Sequence, residues 1–426
     1  MLVEHIILAL ILILVLSLIA QAVAKWLHMP LASILVLLGF IASELVVYAG
    51  IDTGIRADNF QSIIFYVFIP VLVFESAYNI DKQQLKNNLL VVLFLAIIAM
   101  LLTCFIAAVL LFYGIAHDTG FLWIAALITG AILAATDPVA VVDKLREMKA
   151  PARISVLLEG ESLLNDASAI VLFSLFLSMA TAADSVASIN TIQSMLDVAG
   201  SFLLIFFGGA LTGLFVGLFF GFLQKRVKQP VLTGVVSLLV AYGSYILAEY
   251  FMVSGVMSTL LAALSFSMLS EAEDKLPDGQ KTGTQKIDSR MAITGNKYLW
   301  SILSHLANVS VFLVMGAVIT LEMFEQRWLA MLIAIFSLLI ARAISVYGVL
   351  LFFAFFKTLK VPFVSQAVLL WGGLRGAVTL ALALSLPTSL DYWWTIQSIA
   401  FGVVMFSLFV QAPTMSMLAN RLLIKE

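Results

Sequence analysis

Long apolar runs alternate with short polar interruptions from one end of the chain to the other. Each run comes close to the ~20 residues that carry a helix across a hydrocarbon core of about 30 Å. Reading between the interruptions predicts about thirteen helical spans. They lie at 6–26, 31–49, 60–79, 87–114, 119–142, 155–181, 196–223, 230–250, 253–270, 298–321, 328–356, 362–386 and 393–420. Spans eight and nine are separated by a very short turn, and Pro70 interrupts the third. The stretch 271–297 is polar, with Pro277 and three glycines, and is expected to be a mobile cytoplasmic loop. In span seven Gly209, Gly213, Gly217 and Gly221 recur every fourth residue, which bares one face for close packing within the protomer.

Composition agrees with that pattern. Hydrophobic residues make up 62% of the 426 residues, against about 45–50% in soluble domains, and charged residues 11%, against about 25%. The fold class expected is an all-α polytopic membrane protein whose apolar surface meets lipid. The net charge of −2 is uninformative, because topology places the charges; no nucleic-acid partner is expected. The single cysteine, Cys104, lies in an apolar run and reads as a small core residue. Residues 20–24 resemble a signal-peptidase site, but residues 1–5 carry Glu4 and no basic residue, so 6–26 is kept as a span.

The basic residues orient the spans. With loops assigned alternately to two sides, one side collects nearly all the lysines and arginines, including Lys144, Arg146, Lys149 and Arg153. The other holds only Arg56 and Arg327. By the positive-inside rule the rich side is cytoplasmic, which puts the N-terminus outside and the C-terminus inside. A multi-pass protein of a bacterial inner membrane is expected.

What remains is charge inside the spans: Arg342, Arg375 and the acids Glu44, Glu75, Asp137, Glu159, Glu161, Asp166 and Glu249. A charged group at mid-bilayer costs roughly 2.5–3.5 kcal/mol on insertion scales, so such residues mark ion or proton sites more often than packing. Glu44 and Glu249 fall near helix ends, where an interfacial or structural role is the simpler reading. In span six Ser162 and Asp166 are four apart and share a face, with Glu159 on the same stripe; Glu161 and Asn165 share the adjacent face. Counting at 1.5 Å per residue from near Ser155 puts Asp166 about 16 Å deep, close to the midplane. A carboxylate, a hydroxyl and a carboxamide there supply the oxygens that replace a hard cation's water shell. In span five Pro138 breaks the helix after Thr136 and Asp137. Carbonyls near Ala134 and Ala135 then lack helical partners and, with the Thr136 hydroxyl, are expected to face the cation. Glu75 on span three is expected to complete or gate the site, unless it faces an interface. Arg342 cannot neutralise and needs an acid, for which Glu161 is the foremost candidate. Arg375 is assigned either the helix termini of its own broken span or Asp137.

Span twelve is broken by Gly372-Gly373-Leu374-Arg375-Gly376 as span five is by Thr136-Asp137-Pro138. The two are seven spans apart and so run in opposite directions. Spans one to six (6–181) and eight to thirteen (230–420) are therefore expected to form inverted repeats within a single transmembrane domain over 1–426, with span seven (196–223) as linker. Paired broken helices of this kind hold the site in many secondary transporters. A proton and a monovalent cation would compete for Asp166, and one such carboxylate makes the exchange one for one.

Ala135-Thr136-Asp137-Pro138-Val139-Ala140-Val141, Glu159-Gly160-Glu161-Ser162-Leu163-Leu164-Asn165-Asp166 and Gly372-Gly373-Leu374-Arg375-Gly376-Ala377-Val378 resemble the sodium/proton antiporters of the NhaP type. Val73-Phe74-Glu75-Ser76 is similar to that family's third-helix acid. The resemblance runs from about span one to span thirteen. It implies the antiporter fold, with a mobile core domain, a dimerisation domain and a homodimer. It implies Asp166 as carrier, with Ser162, Thr136, Asp137 and Glu75 around the ion, a Glu161–Arg342 bridge, and the Asn165-Asp166 pair of the electroneutral branch. The substrates implied are Na⁺, with Li⁺ or K⁺ as alternatives, and H⁺; no cofactor is expected. The long cytoplasmic tail of many relatives is not expected to regulate this chain. Two other readings stay open, a sodium-coupled solute symporter of the same plan and a cation channel. No zinc-ligand spacing or nucleophile motif suggests an enzyme, and His305 reads as a core residue.

Overall fold

The computed structural model describes residues 3–27, 29–48, 63–115, 120–181, 192–224, 229–274, 283–356 and 359–423. It contains α1 (Val3–Leu27), α2 (Leu31–Tyr48), α3 (Ile69–Asn79), α4 (Lys82–Leu93), α5 (Met100–Gly114), α6 (Trp123–Ala134), α7 (Val139–Glu147), α8 (Ala152–Thr181) and α9 (Ile192–Gln224). There follow α10 (Pro230–Tyr250), α11 (Gly255–Asp274), α12 (Gly283–Val318), α13 (Leu321–Phe353), α14 (Phe363–Gly372), α15 (Ala377–Leu384), α16 (Trp393–Phe406) and α17 (Ala412–Leu423). Wider π-helical turns at Ile64–Phe68, Phe94–Ala99 and Ser407–Gln411 lead into α3, α5 and α17.

Among the described residues ten helical segments are long and apolar enough to cross a membrane, and the shorter apolar segments Leu31–Leu45, Ile64–Asn79 and Gly255–Ser270 stand where three further spans are expected. Large apolar side chains such as Leu18, Leu204, Phe215 and Phe336 are exposed, as lipid contact requires of a multi-pass membrane protein.

Two boundaries differ from the reading of hydropathy. The stretch 271–297 is not one loop: α11 runs on to Asp274 and α12 begins at Gly283, so only 275–282 lies outside the described residues. Hydropathy registers where a helix leaves the hydrocarbon, not where it ends. The same holds at α13, which starts at Leu321 and bends at Arg327 (φ −125°, ψ 15°) before its apolar stretch.

The chain forms two compact units. One comprises 1–64, 88–169 and 306–426; within it α5 packs on α6 and α13, α13 on α16, and α6 on α15 and α16. Cys104 is buried there, as a core residue should be. The other unit comprises 65–87 and 170–305. In it the glycine face of α9 seats directly on α11, where a Cβ at Gly209, Gly213 or Gly217 would overlap the backbone of Ser254, Ser258 or Ala262. The indole of Trp300 stacks near Phe74, with centroids 4.1 Å apart, and donates to Ser237 Oγ at 2.9 Å.

Candidate functional site: a crossing of two broken helices

In the first unit two extended segments interrupt helical paths. Residues 135–138 separate α6 from α7, and residues 373–376 separate α14 from α15. They meet through the Asp137 N–H, which donates to Leu374 O at 2.8 Å. Each break leaves the last carbonyls of one helix and the first N–H groups of the next without helical partners. Charged side chains then sit at the matching helix ends, cations at C-termini and an anion at N-termini.

Arg342 of α13 serves the end of α14. Its Nε and Nη2 donate to Leu370 O and Leu369 O at 3.0 and 2.9 Å, and its Nη1 donates to Glu161 Oε1 at 2.9 Å. Both partners of this ion pair are buried, with side chains 5% and 2% exposed. Arg375 serves the end of α6: Nε donates to Leu133 O at 2.7 Å and Nη1 to Gly373 O, while Nη2 is buried with no hydrogen-bond partner among the described residues. Of the two assignments open for Arg375, its own broken span supplies only Gly373 O, the Leu133 carbonyl belongs to the other broken span, and no ion pair joins Arg375 to Asp137 among the described residues. Asp137 lies at two N-termini. Its Oδ1 accepts from the Val139 N–H at 3.2 Å, at the start of α7, and the Ala377 N–H at the start of α15 faces the same carboxylate. A Cβ at Gly376 would overlap Asp137 Oδ2, and one at Gly373 would overlap the Arg342 guanidinium, so both positions require glycine for close approach.

The mid-part of α8 clamps the first break. Ser162 Oγ donates to Thr136 O at 2.5 Å. Asn165 Nδ2 donates to Ala134 O at 3.0 Å and more weakly to Thr136 Oγ1 at 3.4 Å. Thr379 Oγ1 reaches Ala135 O at 3.5 Å, at the limit of a hydrogen bond. The carbonyls expected to be free for a cation are therefore each met by a side chain. The reason is that α8 and the first turn of α15 both present donors level with the break. A carbonyl holds two lone pairs, so one donor does not exclude a second interaction.

Asp166 stands apart from the other acids. The Thr136 N–H faces its carboxylate, and Asp137 and Arg375 act on it electrostatically. Its Oδ1, like Glu161 Oε2, is buried with no donor among the described residues, yet the residue keeps part of its surface open, as Asp137 does, without Asp137's place at helix N-termini. Asn165 Oδ1 beside it is also buried and unsatisfied. The site thus holds carboxylate, carboxamide, hydroxyl and carbonyl oxygens, the donor set suited to a hard cation. Among the described residues no cluster of three or more His, Cys, Asp or Glu has the arrangement of a resident metal site.

The structure brings Asp166, Ser162, Thr136, Asp137, Asn165, Glu161, Arg342 and Arg375 into one unit. Glu75 belongs to the other, where it is half-buried and accepts from Asn79 Nδ2 at 2.8 Å. Glu44 and Glu249 are exposed. Thr379 was missed by sequence reasoning. Only its position three residues after Gly376, in the first turn beyond a break, could have signalled it.

The family model for the transmembrane sodium/hydrogen exchanger matches residues 11–421. The Na⁺/H⁺ antiporter ApNhaP of Aphanothece halophytica is 33% identical over 369 residues, covering 86% of this chain and 66% of that protein. The low-affinity Na⁺/H⁺ antiporter NhaS1 of Synechocystis is 30% identical, covering 83% of this chain and 63% of that protein, so the chain spans just under two thirds of these relatives. The Na⁺/H⁺ antiporter NhaH of Halobacillus dabanensis is 29% identical over 423 residues, with 96% of each covered. Among solved structures, the sodium proton antiporter MjNhaP1 from Methanocaldococcus jannaschii shares the fold, with a TM-score of 0.77 at 22% identity, covering 99% of this chain and 100% of that one. With a match that begins in α1, ends in α17 and takes in both broken helices, the chain belongs to the sodium/hydrogen exchanger family.

Proposed function

We propose that the protein exchanges a monovalent cation for H⁺ across a membrane by alternating access, one for one and without net charge movement. Na⁺ is the cation proposed, with Li⁺ or K⁺ as alternatives of the same chemistry. Asp166 carries each in turn. The observation that carries this reading is the inequality among the buried acids. Glu161 Oε2 also lacks a donor, but that side chain is closed off and ion-paired to Arg342, and the partly open Asp137 accepts at two helix N-termini, whereas Asp166 is partly open, keeps a buried oxygen with no donor, and has neither an ion pair nor a helix N-terminus among the described residues. A carboxylate so placed must take up a proton or a cation when the site closes. Ser162, Thr136 and Asp137 supply or orient the other oxygens, with Glu75 as a further acid of the pathway; Asn165, Glu161, Arg342 and Arg375 hold the crossing in shape.

Alternating access in this reading uses the two breaks as one device. Spans five and twelve, each interrupted at depth, support inverted repeats over 6–181 and 230–420. The charge bias of the loops supports a cytoplasmic C-terminus and an outside N-terminus in a cell membrane. A homodimer is proposed on the strength of the family, with no enzymatic step and no cofactor.

The test uses purified protein in vesicles that hold a pH gradient reported by a quenched dye. Adding NaCl or LiCl is expected to dequench the dye with the wild type and not with Asp166→Asn. Dequenching that persists in the variant would remove Asp166 from the mechanism. A cation channel would instead collapse an imposed membrane potential, and a symporter would need an organic solute for any signal.

A further inference from the structure

Along α8, residues 154–173 are buried with two exceptions, Glu159 and Asp166. Seven residues are about two turns, so the two carboxylates share one face of the helix, about 10 Å apart along its axis. Nothing in packing asks for acids at the two open positions of this otherwise closed stretch. Glu159 is held by Arg146 in the last turn of α7, with Nη2 to Oε1 at 2.5 Å. The partners are unequal: the Glu159 side chain is 19% exposed and that of Arg146 60%. Lys144, on the same turn, is engaged by Glu147 at 2.8 Å. Arg146 also suits the C-terminus of α7 on its own account, so it can leave Glu159 without losing all stabilisation. The pair is exposed enough to exchange partners, unlike the buried Glu161–Arg342 pair.

We propose that Glu159 is a staging residue on the path to Asp166, and that Arg146 is its removable lid. An alkali cation entering from the side where α7 ends and α8 begins displaces Arg146 from the Glu159 carboxylate. It is held there with part of its water shell, then moves up the same helix face to Asp166. Glu159 thereby sets the affinity for the cation on one side of the membrane only. This rests on the exchange reading above and adds a residue that acts before the carrier.

The test measures initial rates of Na⁺-driven proton movement in everted and in right-side-out vesicles, which present opposite faces to added NaCl. Glu159→Gln is expected to raise the apparent KM for Na⁺ at the face carrying residues 147–153, and at that face alone, leaving kcat within about twofold. The expected factor is roughly fivefold, from Coulomb's law for a cation held about 4 Å from the Glu159 carboxylate at the dielectric of water. Arg146→Gln removes the lid and should lower KM at the same face. The double variant separates staging from net charge: with no carboxylate to visit, its KM should stay as high as in Glu159→Gln. A double variant restored to the wild-type KM, an equal shift at both faces, a loss confined to kcat, or no shift in Glu159→Gln would overturn the proposal. Absence of Na⁺-driven proton movement in the wild type would instead overturn the exchange reading itself.

Discussion

The arginines at the crossing are held to carbonyls at the ends of broken helices, and that contact decides what happens when one is removed. Arg342 satisfies Leu369 O, Leu370 O and Glu161 together. Its loss strands a carboxylate that is 2% exposed. Breaking a buried pair by deleting one partner costs about 3–5 kcal/mol. Arg342→Ala is therefore expected to abolish folded protein, read as monodisperse yield in detergent, and not to shift the apparent Na⁺ affinity; normal yield with altered affinity would contradict this. Asn165 makes a second case. Its Nδ2 donates to Ala134 O and Thr136 Oγ1. Asn165→Asp replaces those donors with a carboxylate facing a carbonyl. Each lost hydrogen bond is worth about 0.5–1.5 kcal/mol, so the variant should lower the detergent melting temperature and loosen the break. An unchanged melting temperature would mean the clamp is dispensable.

At the level of elements, hydropathy marks the stretch of a helix that meets lipid, while backbone bonding marks the helix. The difference explains α12, which begins at Gly283, and α13, which begins at Leu321. The breaks at 135–138 and 373–376 were readable because Pro138 and the glycines of 372–376 are poor helix residues. Their crossing was not, because the bond from Asp137 N–H to Leu374 O joins residues far apart in the chain. The α9–α11 contact offers a test with its own control. A Cβ at Gly213 would overlap the Ser258 carbonyl, whereas at Gly200 nothing lies within 4 Å. Overpacking costs about 1–3 kcal/mol. Gly213→Val should lower the melting temperature by several degrees and Gly200→Ala should leave it unchanged; equal effects would mean that α9 does not seat on α11.

For the whole molecule, the fold shared with MjNhaP1 and the match over residues 11–421 leave the stoichiometry to be measured. One exchanging carboxylate per site predicts no current. Clamping the vesicle potential with valinomycin and K⁺ should leave the exchange rate within about twofold, whereas a moving net charge would couple to the potential at about 2.3 kcal/mol per 100 mV. A steep dependence on voltage would reject one-for-one exchange.

The amino-acid sequence alone determined the class, the spans and the two breaks, and singled out Asp166 as the candidate carrier, because each rests on a local rule. Apolar length, proline and glycine, and charge at depth all carry their cost wherever the chain places them. Tertiary structure alone decided how Asp137 and the carbonyls of the break are engaged, whereas Glu161 was already the foremost candidate partner for Arg342. Asp137 is engaged by the N-terminus of α15 and Glu161 by Arg342 of α13, both distant in sequence, and the carbonyls of 133–136 are met by α8, Arg375 and Thr379. Those assignments depend on distances of a few ångströms between helices, a quantity that no periodicity in one chain contains.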